Sequence, residues 1–118
     1  RSNSLYNKNI RLTIRRIAFE KILSGKKIIE GRLDTPPFKE FLKGMTFCFV
    51  CSETKREQCA QIITITKAPT FEALMSCETT VTKLGFTNQS EAIQCYNAIY
   101  DMESIHRLGV LGIEFRIY

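Results

Sequence analysis

The chain has 118 residues, 44% of them hydrophobic and 25% charged, with a formal net charge of +5. That length suits one compact domain and excludes a two-domain enzyme with an interdomain cleft, and the composition excludes a disordered chain. No apolar run approaches the roughly 20 residues that span a bilayer and no secretory h-region is present, so no membrane partner is expected.

The polar, Asn- and Ser-rich residues 1–9 read as a flexible N-terminal arm, and 10–118 as a single domain. Arg11-Leu12-Thr13-Ile14 alternates and predicts a short strand. From Arg15 to Leu23, the apolar Ala18, Phe19, Ile22 and Leu23 recur at helical spacing, with Arg15, Arg16, Glu20 and Lys21 facing out. Ser24-Gly25 ends that helix, and Gly25 suits the left-handed position after the cap. Lys26 to Leu33 predicts a strand. Asp34-Thr35-Pro36-Pro37 predicts a turn, because two prolines remove backbone donors. Phe38 to Lys43 has room for one helical turn before Gly44. Met45–Cys51 is apolar on both faces, as in a central strand. The charged turn Ser52–Glu57 leads into the alternating, β-branched Gln58–Lys67, which makes a hairpin with it. Thr70 caps a short helix carrying Phe71, Leu74 and Met75. Asn88 followed by Glu91 resembles a capping box. It opens a helix of about 13 residues with Ala92, Ile93, Tyr96, Ile99 and Tyr100 on one face. Gly109–Tyr118 alternates, with Leu111, Ile113, Phe115 and Ile117 on one side. The order is β-α-β-β-β-α-α-β. Most connections are too short for parallel crossovers, so the expected fold is α+β: a small, mostly antiparallel β-barrel with flanking helices, its last strand paired back onto an early one.

The charge is concentrated. Residues 1–27 hold eight basic side chains and one acidic one, a net of +7, whereas 28–118 net −2. Such asymmetry points to an anionic partner, nucleic acid being the commonest, or to a solvated helix face. Five cysteines, an odd number, suggest reduced thiols and an intracellular protein, cytoplasmic or nuclear. Cys48 and Cys51 form a C-x-x-C, but within a strand residues three apart point to opposite faces. No second pair completes a zinc site, so neither a metal nor any other cofactor is expected. His106, the only histidine, lacks a partner at triad spacing and reads as a surface or helix-end residue.

One segment has the character of a site: Ser24-Gly25-Lys26-Lys27-Ile28-Ile29-Glu30-Gly31-Arg32. It lacks the glycine spacing of a phosphate-binding loop. It does supply a helix end, a glycine turn and a strand bearing Lys27, Glu30 and Arg32. Alternation puts Glu30 and Arg32 on one face, close enough to pair, while the turn leaves the direction of Lys27 open. A glutamate can accept from an exocyclic amine, and an arginine can fork onto phosphate. The same residues also fit a solvent-exposed strand with a cross-strand ion pair.

The run Phe19 to Leu33 resembles the G-x-K-x-x-E-x-R motif of the ASCH superfamily, with Gly25, Lys27, Glu30 and Arg32 at the motif positions. Phe38–Gly44 is similar to that family's step into its third strand, with Met45 where Asp is usual, and Gly109–Phe115 is similar to its closing strand. The resemblance spans roughly residues 10–118. It implies a PUA-like barrel with a basic cleft beside the first helix that binds RNA or modified nucleobases. Lys27, Glu30 and Arg32 would line the cleft, flanked by Arg15, Arg16 and Lys26. Among the small bacterial acetylcytidine amidohydrolases of the family, a lysine base, a threonine nucleophile and a glutamate acid act together. Lys27 matches the lysine. Glu30 stands at the threonine position, and the acid would fall near Thr79 or Thr80, with Glu78 out of register. Two roles are unfilled, which argues against that hydrolysis.

Three functions remain. The leading expectation is an RNA- or nucleotide-binding module, with Tyr6, Phe38 and Tyr118 as candidate stacking platforms. The second is a nucleoside- or RNA-directed hydrolase, of amidohydrolase or ribonuclease type, with Lys27 as general base and Glu30 as its partner. The third is a protein-interaction adaptor in transcription regulation. The oligomeric state is not legible.

Overall fold

A computed structural model describes residues 10–118; the proposed arm at 1–9, with Tyr6, lies outside the described residues. The alternating segments form five strands: β1 (Arg11–Ile14), β2 (Ile29–Leu33), β3 (Thr46–Cys51), β4 (Glu57–Ala68) and β5 (Val110–Ile117). The helices among the described residues are α1 (Arg16–Leu23), α2 (Phe71–Leu74), α3 (Glu78–Lys83), α4 (Gln89–Ile99) and α5 (Met102–Leu108), and a 3-10 turn covers Phe38–Glu40. The strands make one curled sheet, an open barrel, in the order β1-β3-β4-β5-β2. Three of its four ladders are antiparallel. β3 and β4 form the expected hairpin, and β5 pairs with the early strand β2 as well as with β4. The β1–β3 ladder is parallel, with α1 and β2 in the connection between its strands.

The sheet separates two apolar clusters. One gathers Phe19 and Ile22 of α1 with Phe47, Phe49, Ile62, Ile113 and Phe115 from the strands. Edge-on contacts link Phe47 to Phe49 (4.9 Å) and to Phe115 (6.3 Å), a geometry aromatic rings favour. The other cluster collects the later helices around Phe71, with Tyr96 stacked on it at 4.6 Å and Tyr100 at 5.7 Å. β2, at the sheet edge, lies between them: Ile29 joins the helical cluster, and Phe38, just beyond β2, joins the barrel cluster.

Several expectations change. Two further helices, α3 and α5, join the two predicted in that stretch. α3 is a six-residue helix containing β-branched Thr79, Thr80, Val81 and Thr82, a composition that lowers helix propensity. α5 starts from a real cap, the Asp101 carboxylate accepting from the Ser104 amide at 2.8 Å. Met45–Cys51 is the interior strand expected, but only one of its faces is fully buried: Thr46, Cys48 and Val50 are half-buried and alternate with the buried Phe47, Phe49 and Cys51. Ile99 leaves the apolar face of α4 and is 62% exposed. The strand expected from Lys26 begins only at Ile29, since the amides of residues 26 and 27 bond to the Lys21 carbonyl and that of Ile28 to the Lys83 carbonyl.

Candidate functional site

Two helix ends build the site. α1 closes with Gly25 at φ +82°. The Gly25 amide bonds to the Ile22 carbonyl and the Lys26 amide to the Lys21 carbonyl, the paired bonds of a Schellman cap. α3 ends the same way: Gly85 has φ +94°, its amide bonds to Thr82 and that of Phe86 to Val81. The two caps face each other, and the carbonyls left over at the end of α3 receive the two lysines. Lys21 Nζ donates to Gly85 O at 2.9 Å and Lys27 Nζ to Leu84 O at 3.1 Å. Cations suit a helix C-terminus, where unpaired carbonyls and the dipole both carry negative character. A side chain at 85 would press on both lysines, its Cβ lying 3.2 Å from Lys27 Cβ and 3.3 Å from Lys21 Cδ.

Lys27 and Glu30 are the two charged residues in the buried set, 5% and 7% exposed. Around Lys27 Nζ stand three acceptors: Leu84 O, the Tyr96 hydroxyl at 3.4 Å and Glu30 Oε1 at 3.4 Å. Glu30 Oε2 accepts from Arg32 Nε at 2.7 Å, so the alternation along β2 pairs these two as expected. The Arg32 guanidinium lies over the Phe38 ring, 4.7 Å from its centroid. The three side chains carry a formal charge of +1. Buried ion pairs persist only with good geometry and further hydrogen bonds, and Leu84 and Tyr96 supply these.

Tyr96 and its neighbour Gly31 carry no weight in the sequence reading, yet both shape the site. A Cβ at Gly31 would come within 3.0 Å of the Tyr96 ring. Burial, then the Glu30 carboxylate, push the Tyr96 phenol far above its ordinary range, so it stays a neutral hydroxyl beside Lys27. Tyr100 is also raised, mainly by burial, and lies within the field of Arg32, Glu30 and Lys27. Tyr96 was readable only as an apolar helix position. The hydroxyl on a buried tyrosine, which needs a partner, was the available signal.

The remaining residues separate. Arg15 and Arg16 stand at the far, N-terminal end of α1, both exposed. Lys26 is exposed on the cap. Lys27 and Glu30 are both buried, beside the two caps and Tyr96. The member that reaches solvent is Arg32, its side chain 20% exposed. A groove of about 410 Å³ does run between the end of α1 and strands β4 and β5. Its walls are largely apolar, with Ile22, Ile28, Ile63 and Phe115 beside Lys27, Glu114 and Arg116. Tyr118 is 70% exposed, whereas Phe38 is half-buried beneath Arg32. Glu78 and Thr79 are exposed in the first turn of α3, at the opposite end from the Leu84 carbonyl that holds Lys27. Cys48 and Cys51 fall on opposite faces of β3, and no group of three or more metal-ligating side chains occurs among the described residues. His106 is exposed in the last turn of α5.

The family model of the ASCH domain matches residues 12–106. The chain belongs to the ASCH domain family. The fold agrees with solved structures. The hypothetical protein PH0355 superposes with a TM-score of 0.81 at 22% identity, over 93% of this chain and 99% of that one. Protein PF0455 from Pyrococcus furiosus gives 0.73 at 25% identity, over 92% and 96%. The ASCH protein from Zymomonas mobilis gives 0.67 at 13% identity, over 95% of this chain and 68% of its own. No functionally curated protein matches the sequence. No helix among the described residues of this ASCH domain is long and apolar enough to cross a membrane.

Proposed function

We propose that this ASCH domain is an RNA- or nucleotide-binding module and that Arg32 is its phosphate contact. The preorganisation of that one side chain carries the reading. Glu30 holds Nε at 2.7 Å, and the guanidinium lies over the Phe38 ring. The Glu30 bond takes the Nε donor, which leaves the four N–H donors of the terminal amino groups for a ligand. An arginine held over an aromatic ring and tied through Nε loses little freedom on forking onto a phosphate. Lys27 adds positive charge from behind, and the apolar groove beside α1 offers a flat surface for a base. Arg15 and Arg16 supply sequence-independent attraction from the far end of α1.

The setting of Lys27 favours binding over catalysis. An ammonium has three N–H bonds and no acceptor, and three acceptors surround this one. A general base would have to break that set. The test is fluorescence anisotropy with a labelled single-stranded RNA and with free nucleotides, across a salt titration. Binding should weaken linearly in log salt, and Arg32→Ala should weaken it about tenfold or more at every salt concentration. Absence of binding at low salt overturns the reading, as does an Arg32→Ala protein that binds like the parent. A salt-insensitive protein partner without RNA affinity would put the adaptor function in its place.

A further inference from the structure

In the β3–β4 hairpin Cys48 lies directly opposite Cys59. The backbone shows which kind of pair this is. The Cys48 amide donates away from β4, to the Ile10 carbonyl at 2.9 Å, and the Cys59 carbonyl accepts away from β3, from the Tyr118 amide at 3.2 Å. In a strand the amide and carbonyl of one residue point the same way, so neither cysteine bonds its partner through the backbone. In such non-hydrogen-bonded pairs the Cα atoms lie about 4.5 Å apart and the side chains are at their closest. That separation falls within the range a disulfide spans, at its short end. The sulfurs are 3.0 Å apart.

The pair is reachable. Both cysteines are half-buried, on the sheet face opposite Phe47, Phe49 and Ala60. Arg11, in register with Cys48, shares that face, and its half-exposed ion pair with Glu57 (3.3 Å) lies alongside. Cys51 is fully buried on the other face. We propose that Cys48 and Cys59 form an oxidation site that closes to a cross-strand disulfide on reaction with a low-molecular-weight disulfide such as oxidised glutathione. One cysteine thiolate attacks a sulfur of the reagent, breaking its S–S bond and releasing one reagent thiolate. The other cysteine thiolate then displaces the second half. One S–S bond forms and one breaks, two electrons pass from the protein to the reagent, and the two cysteine protons end on the two reagent thiols. Burial, then the neighbouring Cys59, push the Cys48 thiol up to about 11, so Cys48 rests as a thiol at neutral pH.

The test treats the folded protein with oxidised glutathione, blocks remaining thiols in denaturant and maps the peptides by mass spectrometry without reduction. The expected product links the Cys48 and Cys59 peptides with a loss of about 2 Da, two hydrogens. The exposed Cys77 and Cys95 report that the reagent reached the protein. Cys48→Ser and Cys59→Ala, as independent variants, should each abolish the link. Recovery of Cys48 and Cys59 as two blocked thiols while Cys77 or Cys95 carries glutathione overturns the proposal, and so does recovery of either cysteine as a stable glutathione mixed disulfide with no link to the other.

Discussion

The two ends of α1 carry charge of one sign in opposite settings. At its N-terminus Arg15 and Arg16 are exposed and oppose the helix dipole, which favours acids there. Arg15 provides no side-chain cap, and the Arg16 amide is served instead by the Glu53 carboxylate at 3.0 Å. That carboxyl is held below its ordinary range, chiefly by the Ser52 hydroxyl. At its other end Lys21, in the last turn, and Lys27, past the cap, converge on the C-terminal carbonyls of α3, with that helix's dipole rather than against it. The lysines therefore contribute to the fold, whereas the arginines are exposed and oppose the dipole, Arg16 gaining only the attraction of Glu53. A basic stretch in a sequence is thus two things, a structural clasp and a surface open to a partner, and only geometry tells them apart.

The sharpest way to break that distinction is to remove the clasp's anion. Glu30→Ala leaves Lys27 buried without its carboxylate and frees Arg32 Nε. Loss of one partner from a buried ion pair costs about 3–5 kcal/mol, and urea unfolding should show a loss of that size. Lys27→Met should cost less, because Arg32 still satisfies Glu30. A larger loss for Lys27→Met would mean that the lysine, not the glutamate, organises the cluster.

Gly85→Ala attacks the clasp from its other side. Its left-handed backbone, at φ +94°, costs an L-residue roughly 1–2 kcal/mol, and the new Cβ would press on Lys27 and Lys21. A total loss of about 2–3 kcal/mol is expected, with chemical-shift changes at Tyr96 on the far side of Lys27. Gly25→Ala provides the comparison: its φ is +82°, but nothing lies within 4 Å of the added Cβ. It should show the strain alone. If the two variants match, the packing of the lysines against residue 85 contributes nothing.

Local chemistry made part of this legible. The pairing of Glu30 with Arg32 follows from strand alternation, and the end of α1 from Gly25. The place of Lys27 did not follow, because it leaves a Schellman cap before any pleat sets its direction. The carbonyl that receives it, Leu84 O, belongs to a helix whose four consecutive β-branched residues hid it. The enclosing Tyr96 looked like any apolar position in α4, and its contact with Gly31 depends on a tertiary approach that periodicity does not encode. The β3–β4 hairpin was legible as a hairpin, but its register, which sets Cys48 against Cys59, is a matter of single residues that alternation leaves undetermined.

The smallest expected effect on stability is the most telling for function. Replacing Arg15 and Arg16 together by Gln removes two exposed charges and keeps the Arg16 amide bond to Glu53, which is a backbone contact. Unfolding stability should move by no more than about 0.5 kcal/mol. RNA binding should respond differently: each lost phosphate contact lowers the slope of log affinity against log salt by about 0.7 for a single strand. Arg32→Ala should instead lower affinity by a larger factor while changing that slope by about one contact. The two arginines at 15 and 16 would then supply attraction without selectivity, and Arg32 the fixed point around which a ligand is oriented. A double variant that unfolds markedly more easily would place these arginines in the fold after all, and an unchanged salt slope would remove them from the interface.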